Sequence, residues 1–398
     1  MTAYVRITCT LVLLTTASPL WAQQVDWSRV FGTPEQDWGH SLVVDKHGNI
    51  AVAGGRGIGS AGGRLHVIKV DRDGKLLWEK DLGPKVSKPG RDPAKFYKFS
   101  MTSSGDGGYF VGGGKNPRSK LWGGRMLHKL DSEGNLVWEQ EFIEKNAFVT
   151  YLGMASKPDG TAIQVGAYNK DPRGEFGSQA WVLITDKEGK RVFGTDWGAD
   201  LNDDACSVVF LPQGGFAAGG MTVSWGAGGP DFFVTRADKK NDLLWHKEFG
   251  GKEPDELQVI EAMPNGQILV AGSTLSFGNG AKDMYVVKVS EEGDALWEQT
   301  FGTPRDDIAY ALAATPDGGI LVAGTSVLGA ENKSDIVVME LDDAGNRVWS
   351  ASLGGAQDDG AYGLAATEHG IFYLTGFTAS EGKGKRDLYL VKFRRPGF

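Results

Sequence analysis

One recurring landmark constrains what this chain can fold into. A tryptophan followed four residues later by Phe-Gly or Leu-Gly appears at Trp27, Trp78, Trp245, Trp297 and Trp349. Trp138 opens the same element, and Phe193 fills the slot once. The seven positions lie 51, 60, 55, 52, 52 and 52 residues apart. A self-similar period of about 50 residues marks a repeat architecture, in which each unit buries its faces against its neighbours.

Each period carries two further landmarks. One is a turn followed by a short apolar run ending in glycine, as in Asp317-Gly-Gly-Ile-Leu-Val-Ala-Gly324 and Asn265-Gly-Gln-Ile-Leu-Val-Ala-Gly272. The other is an alternating run such as Asp283-Met-Tyr-Val-Val-Lys-Val289, which leads into a second polar turn with glycine, Glu292-Gly293. Each unit therefore holds four short β runs separated by hairpin turns. Many of the 58 glycines fall in those turns, where positive φ excludes most side chains. Four antiparallel strands in about 50 residues make a propeller blade. Seven copies of the first three strands begin near Gly39, Tyr97, Thr150, Ala205, Leu257, Ala309 and Ala361. The last copy stops after its third strand at Phe393, and Val25 to Phe31 at the other end is an orphan fourth strand. The pattern predicts an all-β, seven-bladed propeller over residues 23–398, closed by its N-terminal strand.

The composite motif W-x-x-x-F-G-G, D-D-x-A-Y, D-G-G-x-x-x-x-G, D-x-x-x-x-K resembles the secreted bacterial β-propeller repeats of roughly 50 residues. The resemblance spans the chain after residue 22, is clearest in blades 4 to 7 and weakest in blades 2 and 3. It lacks the Gly-His and Trp-Asp pairs of WD40 repeats, and its tryptophan spacing differs from that of quinone-dependent propellers. It implies a fold and a habit of export. It implies no single reaction, because propellers host many activities.

Export is also read directly. Arg6 precedes the apolar stretch Ile7 to Ala17, and Ser18-Pro-Leu-Trp-Ala22 offers a cleavage site. The apolar stretch is well short of the ~20 residues that a membrane span needs, and no later one approaches it. Residues 1–22 are therefore expected to be a signal peptide, and the mature chain periplasmic or secreted and monomeric. Cleavage leaves Cys206 as the single thiol, so no internal disulfide can form, and no Cys/His spacing suits a metal. No cofactor motif is present.

Charge points to one sector. The chain has 42 basic and 50 acidic residues, a formal net charge of -8, which disfavours nucleic acid as a partner. Yet residues 84–130 hold ten Lys/Arg and two Asp. That sector includes an enlarged loop before blade 2 with Arg91, Lys95, Tyr97 and Lys98, and it includes Arg125. At a position where four later blades carry Asp231, Asp283, Asp335 and Asp387, blades 1 and 2 carry Arg64 and Arg125. Basic side chains among aromatic ones suit an anionic small molecule, a glycan or an acidic protein.

The first strands vary where they approach the channel mouth. In the register of Tyr310 stand His40, Lys98 or Phe99, Leu152, Ser207, Gln258 and Tyr362. The candidate binding residues are thus Arg64, Arg91, Lys95, Tyr97, Lys98, Arg125, His40, Tyr310 and Tyr362. The leading expectation is an exported binding protein. The alternatives are a carbohydrate-active lyase or hydrolase using His40, a mouth aspartate and a tyrosine, or a scaffold in an envelope assembly. The recurrent aspartates Asp37, Asp204, Asp255, Asp307 and Asp359, with the second set above, read either as an acidic ring or as caps of their own loops. N-terminal sequencing of the exported protein should begin at Gln23; an intact Met1 would exclude cleavage.

Overall fold

A computed structural model describes residues 25–59, 62–86, 98–115, 122–145, 148–169, 177–329, 332–367 and 370–396. Its strands form seven antiparallel four-stranded sheets. Blades 1 to 6 run in chain order over residues 36–86, 99–145, 148–197, 203–249, 255–301 and 307–353. Blade 7 takes its first three strands from residues 359–394 and its fourth from Val25–Phe31. The ring is therefore closed by the N-terminal strand, as the orphan strand implied. Val30 pairs with Tyr389 and Phe31 with Leu388. Enlarged-loop residues Arg91, Lys95 and Tyr97, and the leader 1–22, lie outside the described residues.

The core sits between neighbouring sheets. The second and third strands of blade 5, Ile268–Thr274 and Asp283–Val289, are buried along their whole length. Phe232 and Val234 of blade 4 pack on Leu257, Ile268, Val270, Tyr285 and Val287 of blade 5. Across the closure, Ile50, Val52 and Ile68 of blade 1 meet Tyr373, Leu388 and Leu390 of blade 7 in the same way. Two-sided burial explains the continuous apolar run of Ile268–Thr274, and it corrects the alternation expected for Asp283–Val289, which is buried on both faces.

The tryptophan landmark is the clasp between blades. Its indole N–H donates to a carbonyl in the third-to-fourth-strand turn of the next blade. Trp27 reaches Arg72 O at 3.1 Å, Trp245 reaches Glu291 O at 2.9 Å and Trp297 reaches Asp343 O at 3.0 Å. A basic residue from the neighbouring third strand donates to the same carbonyl: Lys392, Arg236 and Lys288 respectively. The ring also lies on the turn glycine. At Gly134 (φ +78°) an added Cβ would stand 2.9 Å from the Trp78 ring, and at Gly345 (φ +83°) 2.9 Å from Trp297. Both the positive φ and the close approach require glycine there. Phe193 replaces the tryptophan facing blade 4, and there the turn carries Asn241 at φ +70°.

Blade 7 has no covalent third-to-fourth-strand turn to receive Trp349. The third-strand cation is reversed to Glu340, which is fully buried, and Arg395 from the chain end fills the gap. The Arg395 guanidinium donates to both Glu340 oxygens, one at 2.8 Å through Nε, and also meets Asp317. Trp349 donates to Glu340 as well. Removing one partner of a buried pair costs about 3–5 kcal/mol, because the other charge stays buried. Arg395→Ala should therefore lose roughly 3 kcal/mol or more in urea unfolding. The double variant Arg395→Ala/Glu340→Leu should recover most of it; no recovery would show that the pair is not the cause.

Candidate functional site

The inner strands are built around a recurrent irregularity. Pairing between first and second strands slips by one residue between Gly39 and Ser41, Tyr151 and Gly153, Ala205 and Ser207, Leu257 and Val259, Ala309 and Ala311, and Ala361 and Gly363. The extra residue of each bulge is therefore His40, Leu152, Cys206, Gln258, Tyr310 or Tyr362. A bulge leaves its residue unpaired and re-aims its side chain. Blade 2 lacks the bulge: Phe99 pairs with Gly113 and Ser100 with Gly112, and Lys98 precedes the strand. All six bulge residues and Lys98 line one axial cavity of about 490 Å³. Phe99 instead belongs to the buried core with Trp38 and Leu65.

The bulge corrects one assignment. Cys206, not Ser207, is the blade 4 counterpart of Tyr310, because the slip falls between Ala205 and Ser207. Its thiol lies 3.1 Å from Leu257 O, a packing role on an inner strand.

The cavity side chains meet across the axis. Lys98 Nζ of blade 2 lies 3.4 Å from Gln258 Oε1 of blade 5. His40 stacks on Tyr362 with ring centroids 5.6 Å apart, and Tyr310 meets Tyr362 edge-on at 5.2 Å. Burial, reinforced by the Lys98 charge, pushes His40 down to about 3, so its imidazole is neutral at physiological pH. Lys98 is thus the one cation among the described lining residues. Glu261 is their one carboxylate, and desolvation raises it to about 7.

The other candidates stand elsewhere. Arg64 is exposed outside the cavity, its Nε 3.9 Å from Asp81 Oδ2. Arg125 is buried between blades 2 and 3, its guanidinium 4.1 Å over the Trp181 ring. It therefore does not join Lys98 in the cavity. Of the ten basic residues in 84–130, Lys98, Arg125 and Lys129 have described side chains, and Lys129 pairs with Asp106.

The recurrent aspartates cap their own loops. Asp255 Oδ2 accepts from Gly251 N at 2.8 Å, Asp359 Oδ2 from Gly355 N at 2.9 Å and Asp37 Oδ2 from Thr33 N at 2.8 Å. The blade 4 member is Asp203, which accepts from Ala199 N at 2.9 Å; Asp204 instead accepts from Ser178. In the second set, Asp231 and Asp283 accept from Ala227 N and Asn279 N, each at 2.7 Å. Asp37 is committed to its loop and does not orient His40. No group of three or more His, Cys, Asp or Glu able to hold a metal occurs among the described residues.

The two sets meet at blade junctions. An added Cβ at Gly302 would stand 1.7 Å from Asp283 Oδ1 and 3.1 Å from Asp307 Oδ2, which explains the glycine after Phe301. Burial, with the Asp307 charge added, pushes Asp283 up to about 6. Asp335 rises to about 6 for the same reasons, facing Asp359 and Asp358.

Sequence reasoning missed Glu261. At the equivalent place, three residues past each bulge residue, the other bulged blades carry Val43, Ala155, Val209, Ala313 and Ala365, and blade 2 carries Thr102 in the same register. A single acid in a ring of small, uncharged residues was the available signal.

Comparison with known proteins adds the following. No protein-family model matches the chain. It is similar to the regulatory protein FlaEY of Caulobacter vibrioides, 28% identical over 139 residues. The matched stretch covers 30% of this chain and 15% of FlaEY, so the chain spans a small part of that relative's length. Among solved structures, an ulvan lyase bound to -[GlcA(1-4)Rha3S]- superposes with a TM-score of 0.55 at 11% identity, over 91% of this chain and 96% of the lyase. A protein of unknown function from Dyadobacter fermentans gives 0.51 at 12%, over 93% and 98%. An α-L-arabinanase of Penicillium chrysogenum gives 0.50 at 12%, over 79% and 98%. These likenesses establish the propeller fold.

The junction carboxyls generate a pH prediction. A group whose folded pKa exceeds its unfolded value binds extra protons in the native state between the two values. For Asp283 that window runs from about 4 to 6, and its contribution to stability is lost as pH rises through 6. Asp283→Asn should therefore raise the melting temperature more at about pH 7.5 than at about pH 5. An equal change at both values would remove the ionised pair as the cause.

Proposed function

We propose that this protein binds a small anionic ligand with flat, hydroxylated faces in its axial channel, an acidic sugar being the chemistry that fits. The observation that carries this reading is the convergence of Lys98, the one cation among the described lining residues, with Gln258 and the aromatic set His40, Tyr362 and Tyr310. An ammonium group pairs with a carboxylate or sulfate, amide and phenol groups exchange hydrogen bonds with hydroxyls, and rings cover apolar faces. A cavity of about 490 Å³ suits a small molecule or a short saccharide segment. Export after Ala22 belongs to the same reading, since it would place the channel among extracellular and envelope glycans.

A lyase is the second reading, favoured by the stacking of His40 on Tyr362, which places an imidazole beside a phenol in the cavity that holds Lys98. A neutral imidazole can take the proton from the carbon beside a uronate carboxylate that Lys98 neutralises. A tyrosine hydroxyl can then give a proton to the departing glycosidic oxygen, leaving a carbon–carbon double bond. Two-carboxylate glycoside hydrolysis has less support, because Glu261 is the one carboxylate among the described lining residues.

Titration calorimetry with short oligogalacturonates tests both. Binding to the wild type and at least tenfold weaker binding to Lys98→Gln are expected, from the ~1.5–3 kcal/mol typical of a hydrogen bond to a charged group. Unchanged affinity in that variant would falsify the role of Lys98. Growth of ultraviolet absorbance from an unsaturated product, lost in His40→Ala, would mark the lyase.

A further inference from the structure

Glu261 occupies the cavity without a partner of its own. No hydrogen bond or ion pair engages its side chain among the described residues, although Lys98 lies in the same cavity. The equivalent ring positions in blades 3, 6 and 7 are Ala155, Ala313 and Ala365, so packing there does not call for a long acidic side chain. Glu261 is half-buried in the cavity wall, and an unpartnered carboxylate in a cavity marks a place where a ligand supplies the partner.

Its position relative to Lys98 defines a second pole. Lys98 is tied to Gln258 at 3.4 Å, and Glu261 follows Gln258 by three residues on the strand Asp255–Ala262. Three strand residues rise roughly 10 Å. The cavity therefore offers a cation beside Gln258 and an unpaired carboxylate whose backbone stands about 10 Å further along the strand. The uncharged lining also includes Ala155, Val209 and Val259, half-buried side chains that can take an uncharged spacer.

We propose that Glu261 binds the ammonium group of the ligand, so that the cavity takes molecules carrying an acid and a primary amine about 10 Å apart. Amino-sugar acids of disaccharide size have that chemistry. The inference rests on the axial cavity being the binding site and adds the amine to the acidic ligand argued above.

The test uses three probe classes on the mature protein, read by thermal shift and titration calorimetry. They are digalacturonate (acid alone), straight-chain alkylamines (amine alone) and a graded series of straight-chain ω-amino acids. The expected result is an affinity optimum in the amino-acid series where the two ends span about 10 Å. Glu261→Gln should flatten that optimum and weaken the best member at least tenfold, while leaving digalacturonate binding unchanged. Glu261→Ala repeats the test with the residue found at this position in three other blades. Both variants remove a desolvated charge, and a melting temperature at or above wild type would certify the fold. If digalacturonate binds and amines add nothing in the wild type, the inference is overturned while the acid-binding reading stands. If amine binding is lost in Glu261→Gln but no acid binds, the Glu261 site is supported and the Lys98 reading falls. If the amino-acid optimum survives both substitutions, Glu261 is not the amine site.

Discussion

The joint between blades is the interaction on which the rest of this structure depends. One indole ring lies on one turn glycine, and its N–H shares a carbonyl with a third-strand cation, as Trp297 and Lys288 do at Asp343 O. Each blade is a small sheet that cannot bury both of its faces alone. The clasp sets the angle and spacing at which the next sheet is presented. The ring closes when those steps return to the start, where Trp27 and Lys392 take Arg72 O in the same geometry. Where the covalent turn is missing, Glu340 and Arg395 replace it with a buried ion pair. The closure thus combines a shared β-sheet with an electrostatic substitute for a turn.

The site is what remains when the repeat has done its structural work. Glycines, junction aspartates and tryptophans are spent on turns, loop caps and clasps. The bulge on each inner strand then pushes one side chain per blade toward the axis, and in those places the repeat stops being uniform. Six blades contribute His40, Leu152, Cys206, Gln258, Tyr310 and Tyr362, and blade 2 contributes Lys98 without a bulge. A symmetric scaffold thereby encloses an asymmetric cavity, with one cation and one carboxylate among its described lining residues and an aromatic cluster along one side.

Much of this was legible in the chain, and the failures have physical reasons. His40, Lys98, Gln258, Tyr310 and Tyr362 were found by aligning repeats, because the departures from the repeat fall where bulges point inward. Ser207 stood in place of Cys206, and Asp204 in place of Asp203, although counting 52 residues back from Gln258 and Asp255 reaches Cys206 and Asp203 in the sequence itself. Arg125 looked like a free cation beside Arg64, yet it packs against Trp181 from the next blade, a contact that no local pattern announces. Glu261 passed unnoticed because its neighbours in space, not those in sequence, deprive it of a partner.

The sequence by itself determined the number of blades, the order of strands and the manner of closure. Those follow from turn glycines and short apolar runs that repeat about every 50 residues, and from a strand count that leaves one strand over at the start and one missing at the end. Only the tertiary structure decided which charged groups stand in the axial cavity and in what state of protonation. Residues 98, 258 and 261 come together because a ring of seven sheets folds its inner edges onto one axis. The neutrality of His40 and the raised affinity of Glu261 for its proton arise from desolvation there. Desolvation depends on everything that surrounds a group, and the chain order of the residues does not contain it.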